Sequence, residues 1–269
     1  MNKSYKSHTN EEKLAEFERL LEIMKRLRAE CPWDSEQTFE SIRSNTVEET
    51  YELSDAILDS DMQLIKKELG DLLLHIVFYS EMGSETKDFD IYDVCKAINE
   101  KLIFRHPHVF GDTDVHGDTL KVLENWETLK LKEKGGNKTV LGGVPNSLPT
   151  LIKAYRIQEK AASVGFDWEY REQVWDKVKE EIAELQSEID EMDSDKMEAE
   201  FGDVFFSLVN TARLYDINPD TALERTNKKF ISRFNYLEAE TLAKGKNLKE
   251  MTLAEMDEIW EEGKTKTEP

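Results

Sequence analysis

The sequence predicts an all-α protein made of two tandem four-helix bundles, and three observations support this. A pattern of paired carboxylates occurs twice, as Glu48-Glu49-x-x-Glu52 with Glu68-x-x-Asp71 and as Glu180-Glu181-x-x-Glu184 with Glu200-x-x-Asp203. Both parts of the pattern are displaced by 132 residues, from position 49 to 181 and from 71 to 203. Apolar residues recur at helical spacing, and few segments alternate with the period of two that strands require. The chain is therefore predicted to be one helical unit repeated.

Length and composition limit the class of protein. A chain of 269 residues can form one or two domains, and the repeat favours an N-terminal domain over residues 1–125, a linker over 126–150 and a C-terminal domain over 151–269. The formal charge of −21 argues against a nucleic-acid polymer as partner, but not against a nucleotide, because bound Mg²⁺ can reverse the local sign of a carboxylate site. Two cysteines, a polar N-terminus and the absence of a long apolar run predict a cytoplasmic protein that is not inserted in a membrane.

Capping signals place the helices of the first half. Thr9-x-x-Glu12 and Thr46-x-x-Glu49 both have the spacing of a capping box, and Pro32 ends the first helix because proline cannot continue it. The predicted helices run from Thr9 to about Arg28, from Thr46 onward, from Ser60 or Asp61 to about Met82, and from Asp90 to about Arg105.

The second half repeats this plan after a segment rich in glycine and proline, which is typical of a linker. Trp168 lies in the break after the first helix, as Trp33 does in the first half, and both are predicted to plug the ends of the bundles. The predicted helices cover residues 151–164 and 174–192, a segment capped by Ser194, a segment with Pro219 at its first position, and 253–262.

The repeated carboxylates predict a metal site. Residues three apart share a helix face, so two such helices packed antiparallel would bring four carboxylates together. The alternative is a solvated acidic face, and a capping role alone would explain Glu49. Against that alternative, Asp71 and Asp203 each lead into a strongly apolar run, so their helices are predicted to be buried, where an unpaired carboxylate is costly. The predicted metal ligands are Glu181, Glu184, Glu200 and Asp203, with a second site at Glu49, Glu52, Glu68 and Asp71.

The ligand type and two glycines refine this prediction. Oxygen ligands alone favour Mg²⁺, with Mn²⁺ as a substitute, over zinc. Mg²⁺ usually completes its coordination with waters and substrate phosphates, which predicts a substrate that contains a diphosphate. Gly70 and Gly202 lie inside the helices, where glycine is unfavourable, and predict close approach of another backbone.

Basic residues distinguish the two halves. Lys229 and Arg233 lie four residues apart on one predicted helix face, and Lys101 and Arg105 repeat this spacing. Only the second half also has lysines just before its first carboxylates, where a helix N-terminus favours phosphate. These are Lys177 and Lys179, and the first half has Asn45 and Val47 at the matching positions. The second site is therefore predicted to be better equipped for a polyphosphate.

These motifs resemble those of the MazG family of all-α nucleoside triphosphate pyrophosphohydrolases. Cys31-Pro-Trp-Asp34, Arg105-His-Pro-His-Val-Phe110 and Lys160-Ala-Ala-x-Val-Gly-Phe-Asp-Trp168 are similar to further signatures of that family. The resemblance implies Mg²⁺-dependent hydrolysis of a nucleoside triphosphate to the monophosphate and pyrophosphate by a homodimer. It also implies that the C-terminal domain is catalytic.

Carried over by motif, the resemblance implies roles for individual residues. Glu180 and Glu181 would be catalytic, with Glu180 orienting or deprotonating a water that attacks the α-phosphorus. Trp260 would stack on the base or, equally well, pack a terminal helix. The substrate-binding residues would be Lys177, Lys179, Glu180, Glu181, Asp203, Lys229, Arg233 and Trp260.

Two alternatives remain at the level of sequence. The chain can be a regulatory module that binds metal or nucleotide without turnover, or a hydrolase of the same fold that acts on another diphosphate, as dUTPase-like enzymes do. The first half can be active, regulatory or silent. Base selectivity, and whether the sites are completed across a dimer interface, depend on pocket shape and are not predicted.

Overall fold

A computed structural model describes residues 7–118, 121–122, 125–126, 129–130 and 139–266. Over these residues it contains eleven α-helices with defined bounds and no β-strand, which confirms the predicted all-α class. None of the described helices combines the length and apolarity needed to span a membrane. The helices are α1 (Asn10–Glu30), α2 (Pro32–Glu36), α3 (Arg43–Leu58), α4 (Met62–Thr86), α5 (Ile91–Arg105), α6 (Pro107–Phe110), α7 (Thr150–Ala162), α8 (Val174–Glu191), α9 (Ser194–Leu214), α10 (Pro219–Ala243) and α11 (Leu253–Lys266).

The chain forms two compact units, Met1–Gly117 and Asp118–Pro269. The domain limits that the sequence predicts, including the linker over residues 126–150, stay a prediction. Part of that linker, residues 127–128 and 131–138, lies outside the described residues. Of the rest, Trp126 is helical and Leu141–Gly143 forms a short 3-10 helix.

In the first unit, α4 is the central helix and packs against α1, α3 and α5. Its apolar residues meet those of α1 and of the turn before α3, because α1 presents one apolar stripe to it. The buried core of this unit consists of Met24, Ile42, Val77, Phe78 and Met82.

In the second unit, α9 has the same central place and packs against α7, α8 and α10. The terminal helix α11 packs on α10. The buried apolar residues are Val174, Val178, Leu185, Val209, Leu237 and Ile259.

Most predicted helix starts are confirmed, but two caps are wrong. Thr9 forms the predicted capping box. Thr46 does not start a helix, because α3 begins at Arg43 and the Thr46 hydroxyl lies 3.1 Å from the Ile42 carbonyl inside the first turn. That hydroxyl also lies 2.7 Å from Nδ1 of His75. The cap of α9 is Asp193, one residue before the predicted Ser194.

The breaks after α1 and α7 are held by ion pairs rather than by tryptophan plugs. Arg28 bonds the Glu85 carboxylate and the Gln37 carbonyl in the first unit, and Arg213 bonds Asp167 in the second. Trp33 is 59% exposed and Trp168 is 38% exposed, so the predicted plugs are wrong in this chain.

The prediction that α4 and α9 are buried all round is also wrong. Each helix leaves an apolar stripe open to solvent, and the two stripes occupy the same positions in the repeat, 132 residues apart. A Cβ added to Gly70 or Gly202 would meet no described atom within 4 Å, so the predicted close approach of another backbone is not seen among the described residues. The stripes are Leu69, Leu73 and Ile76 on α4 and Phe201, Phe205 and Leu208 on α9.

Candidate metal and nucleotide site

Helices α8 and α9 bring three of the four predicted ligands of the second half together. One carboxylate oxygen each of Glu181, Glu184 and Glu200 lies within 4.8 Å of the other two. Glu181 and Glu184 share a face of α8, and Glu200 reaches them from α9, which packs against α8. Glu181 is buried, Glu200 is half-buried and Glu184 is exposed. Asp203 is exposed and outside this group, and its role as a ligand stays a prediction.

Helices α3 and α4 form a related cluster in the first half. It contains Glu49, Glu68 and Asp71, again with one oxygen each within 4.8 Å of the others. Glu68 is almost completely buried, at 1% exposure. Glu52 is exposed and outside the group. The repeat therefore places three carboxylates together in each half, but the two clusters omit different members of the pattern.

The chemistry of the C-terminal cluster fits a divalent cation. The Oε2 atom of Glu200 is buried and has no hydrogen-bond partner among the described residues. Leaving a buried acceptor unsatisfied is unfavourable, and more so for a charged group. Three carboxylates form the oxygen-only ligand set that Mg²⁺ and Mn²⁺ prefer. Glu181, Glu184 and Glu200 are therefore the residues that would hold the metal.

In each cluster one lysine neutralises part of the carboxylate charge. This lysine lies on the first helix of the pair, α8, in the second half, but on the second helix, α4, in the first half. Lys177 of α8 places its Nζ 2.7 Å from Oε1 of Glu181 and 3.0 Å from Oε1 of Glu180. In the first half, Lys67 of α4 lies 3.0 Å from Glu68 and 3.3 Å from Asp71. These hydrogen bonds to carboxylates raise the pKa of both lysines, so both ammonium groups stay charged.

In each cluster, one carboxylate that the lysine does not contact has a raised pKa. Burial raises the pKa of Glu200, and the charges of Glu184 and Asp203 raise it further. Burial, followed by the charges of Asp71 and Glu52, likewise raises the pKa of Glu49. A proton on either group relieves the repulsion, and a divalent cation would relieve it more fully.

This shift predicts how the stability of the metal-free protein depends on pH. A carboxyl group whose pKa is higher in the folded than in the unfolded chain stabilises the fold below its ordinary pKa of about 4.5, and that contribution is lost as the pH rises through the raised pKa. In Glu200→Gln the glutamine side chain carries no charge at any pH, so this pH-dependent contribution is absent. In a chelating buffer the variant should therefore unfold at a higher temperature than the wild type at pH 7.5.

Thermal unfolding followed by circular dichroism checks this prediction. The difference between variant and wild type should shrink as the pH approaches 4.5. Glu198→Gln changes an exposed carboxylate on the same helix and serves as the control. A Glu200→Gln variant that is less stable than the wild type at pH 7.5 without metal would contradict the prediction.

The other predicted site residues lie on α8, α10 and α11, and they differ in exposure and in the contacts they make. Glu180 is exposed and bonded to Lys177. Lys179 points to Asp176, at 3.0 Å, and makes no contact with the cluster carboxylates. Lys229 is exposed and Arg233 half-buried, both on α10. Trp260 of α11 packs on Phe230 with ring centroids 5.0 Å apart, which supports its packing role and leaves stacking on a base a prediction.

Lys67 is the one cluster residue that sequence reasoning missed. It directly precedes Glu68, and neighbours in sequence do not normally share a helix face. The available signal was its spacing of four residues to Asp71, which does place a lysine and a carboxylate on one face.

Comparison with known proteins agrees with the family resemblance of the sequence motifs. A family model described as the MazG nucleotide pyrophosphohydrolase domain matches twice, over residues 37–110 and 171–237. The chain is 43% identical over 256 residues to the nucleoside triphosphate pyrophosphohydrolase of Escherichia coli K12, covering 93% of this chain and 97% of that protein. It is 42% identical over 251 residues to the Thermotoga maritima nucleoside triphosphate pyrophosphohydrolase/pyrophosphatase, covering 92% and 95%. It is also 45% identical to the Bacillus subtilis protein YabN, over 94% of this chain and 53% of that one.

Proposed function

This chain belongs to the MazG family of nucleoside triphosphate pyrophosphohydrolases, and we propose that its C-terminal cluster carries out a Mg²⁺-dependent hydrolysis of nucleoside triphosphates to the monophosphate and pyrophosphate. The observation that carries the proposal is the group of Glu181, Glu184 and Glu200, in which Glu200 has a buried oxygen that no described residue hydrogen-bonds. Mn²⁺ is the expected substitute, because it prefers the same oxygen ligands.

The residues around the cluster supply binding and proton transfer. When bound, the divalent cation would polarise phosphate oxygens as a Lewis acid. Lys177, Lys229 and Arg233 are proposed to bind the triphosphate, whose negative charge the carboxylates alone would repel. Glu180 is exposed and bonded to Lys177, and it is proposed to orient the attacking water and accept its proton.

The proposed reaction is a single displacement. The oxygen of water forms a bond to the α-phosphorus, and the bond from the α-phosphorus to the bridging oxygen of the β-phosphate breaks. Pyrophosphate leaves with that oxygen, and the nucleoside monophosphate keeps the oxygen of water. Asp203 and Trp260 are proposed to complete the site as a further ligand and as a contact for the base.

Product analysis tests this function. The full chain is incubated with Mg²⁺ and a panel of canonical and damaged nucleoside triphosphates, and the products are separated. Equal amounts of monophosphate and pyrophosphate are expected, and inorganic phosphate with a diphosphate would contradict the proposal. A preference for damaged nucleotides would support a role in nucleotide-pool house-cleaning, and a preference for canonical ones a role in regulating the pool.

A binding role without turnover is favoured only for the N-terminal half. Its lysine bridges two of the three cluster carboxylates, Glu68 and Asp71, from the same helix. The position that corresponds to Lys177 is Asn45, which carries no charge to offer a triphosphate. We therefore propose that this half binds metal or nucleotide weakly and regulates the catalytic half. Binding of a triphosphate by the whole chain without any release of pyrophosphate would extend this regulatory role to the entire protein.

A homodimer is also proposed, and the open stripes of α4 and α9 support it. Phe205 is 61% exposed and lies in the middle of the α9 stripe. Large apolar side chains in a row on one helix face favour a helix of a second copy. Phe205→Glu is expected to convert a dimer to a monomer in sedimentation experiments, because it places a charge in that interface.

Leu242→Glu is the matched control for this change. Leu242 lies on α10, outside both stripes, and is 72% exposed, so its substitution should leave the dimer intact. A wild-type chain that sediments as a monomer, or two variants that behave alike, would contradict the assignment of the stripe as the interface.

A further inference from the structure

The proposed function gives the ammonium group of Lys177 two different partners, the carboxylate of Glu181 and the triphosphate. In the structure its ammonium contacts Glu181, a buried member of the cluster, at 2.7 Å. In the proposed reaction the same ammonium binds the triphosphate. A cation on Glu181 and this ammonium would be two positive centres a few ångströms apart, and they would repel each other where water is partly excluded.

The surroundings of Lys177 allow it to move. Its side chain is 38% exposed, and its second partner, Glu180, is 55% exposed. Lysine carries its charge on a flexible four-carbon stem, so the ammonium can leave Glu181 without a change in the helix. Lys177 also lies within the first two turns of α8, which begins at Val174, so an ammonium that leaves the cluster stays near the helix end that favours phosphate.

We propose that Lys177 is a metal-gated phosphate ligand, which takes the place of the cation beside Glu181 until a divalent cation displaces it and only then binds the triphosphate. This proposal rests on the proposed function of the C-terminal site and adds an order of binding to it. Since coupling between two ligands is reciprocal, bound triphosphate holds the ammonium away from Glu181 and thereby strengthens metal binding.

The proposal predicts that removing the lysine tightens metal binding when no nucleotide is present. Mn²⁺ alone is titrated into the full chain, and free Mn²⁺ is measured by electron paramagnetic resonance. All proteins carry Glu49→Gln, so that the N-terminal cluster lacks one of its ligands. Lys177→Met is expected to lower the Kd for Mn²⁺ by about fivefold or more, the lower end of typical coupling between two sites.

Lys179→Met is the matched control, because it removes the same charge two residues away. Lys179 is 75% exposed and contacts Asp176 rather than the cluster. Its substitution should leave the Kd for Mn²⁺ within about twofold of the parent, since charges that face solvent are largely screened. Equal effects of both variants would show a general charge effect and overturn the gating role.

A second titration measures the coupling itself. The Kd for Mn²⁺ is determined with and without adenosine 5′-(α,β-methylene)triphosphate, whose α–β bond cannot be hydrolysed. The ratio of the two values should be about fivefold or more smaller in Lys177→Met than in the parent. Lys177→Gln should repeat both results, and circular dichroism should show the same helix content in every variant.

The outcomes separate this proposal from the function on which it rests. If the parent binds Mn²⁺ and releases pyrophosphate but Lys177→Met binds Mn²⁺ equally or more weakly, the gating role is wrong and the function stands. If the parent binds no Mn²⁺ although it is folded, the metal site and the gate are both wrong.

Discussion

Glu200→Gln is expected to reduce pyrophosphate release by at least ~100-fold, since residues that merely support metal ligands already contribute 10- to 100-fold. Within the described part of the chain, Glu200 supplies the buried oxygen without a hydrogen-bond partner and is the only member of its cluster on α9. An amide keeps the shape of the side chain but removes the charge that would hold the cation. The loss should appear in kcat/KM, because without the cation the remaining carboxylates also repel the triphosphate.

Glu49→Gln is the matched variant in the first half. Glu49 is the carboxylate of its cluster whose pKa is raised, as Glu200 is in the other. Pyrophosphate release should remain within a few-fold of the wild type, because we assign turnover to the C-terminal cluster. Loss of release in both variants would mean coupled or twin sites. Loss in Glu49→Gln alone would reverse the assignment of the catalytic half.

Removal of divalent cations is expected to lower hydrolysis to the uncatalysed background. The cluster carries three carboxylates and one lysine, so without a cation it repels the triphosphate rather than binding it. Dialysis against a chelator followed by addition of Mg²⁺ or Mn²⁺ should restore release, whereas Zn²⁺, which prefers nitrogen and sulfur ligands, should restore little.

Thermal unfolding gives a readout of this prediction that does not depend on turnover. A cation that binds only the folded chain at one hundred times its Kd stabilises it by about 2.7 kcal/mol. The wild type should therefore unfold at a higher temperature with Mg²⁺ than with chelator, and Glu200→Gln should show little of this increase. Full activity in the chelated wild type would refute the metal requirement.

The sequence predicted the all-α class and most helix starts, because capping and helical spacing are local signals. Of the four carboxylates predicted to meet in each half, three lie together. Glu181 and Glu184 share a face by spacing alone, and the repeat indicated that the helix of Glu200 returns to them. Thr46 shows where local rules fail, since its spacing to Glu49 fits a capping box although α3 begins three residues earlier, at Arg43.

The exposure of individual side chains could not be predicted in the same way. The apolar runs after Asp71 and Asp203 indicated complete burial, but none of the described helices covers Phe201 and Phe205. Lys67 was missed because the arrangement of its ammonium depends on how Glu68 is turned inside the bundle. Such details depend on tertiary packing and not on spacing along one helix.

The cluster lysine lies on different helices in the two halves, and this limits how the sequence of one cluster can evolve into that of the other. The first half has Asn45 and Lys67 where the second has Lys177 and Ala199. Converting either arrangement into the other takes two substitutions. One order passes through a cluster with two lysines, and the other through a cluster with none and a buried glutamate left without its cation. The intermediate without a lysine leaves the buried glutamate unpaired, which is electrostatically unfavourable, and the intermediate with two lysines places a second ammonium where a divalent cation is proposed to bind. Neither half therefore reaches the arrangement of the other by a single substitution.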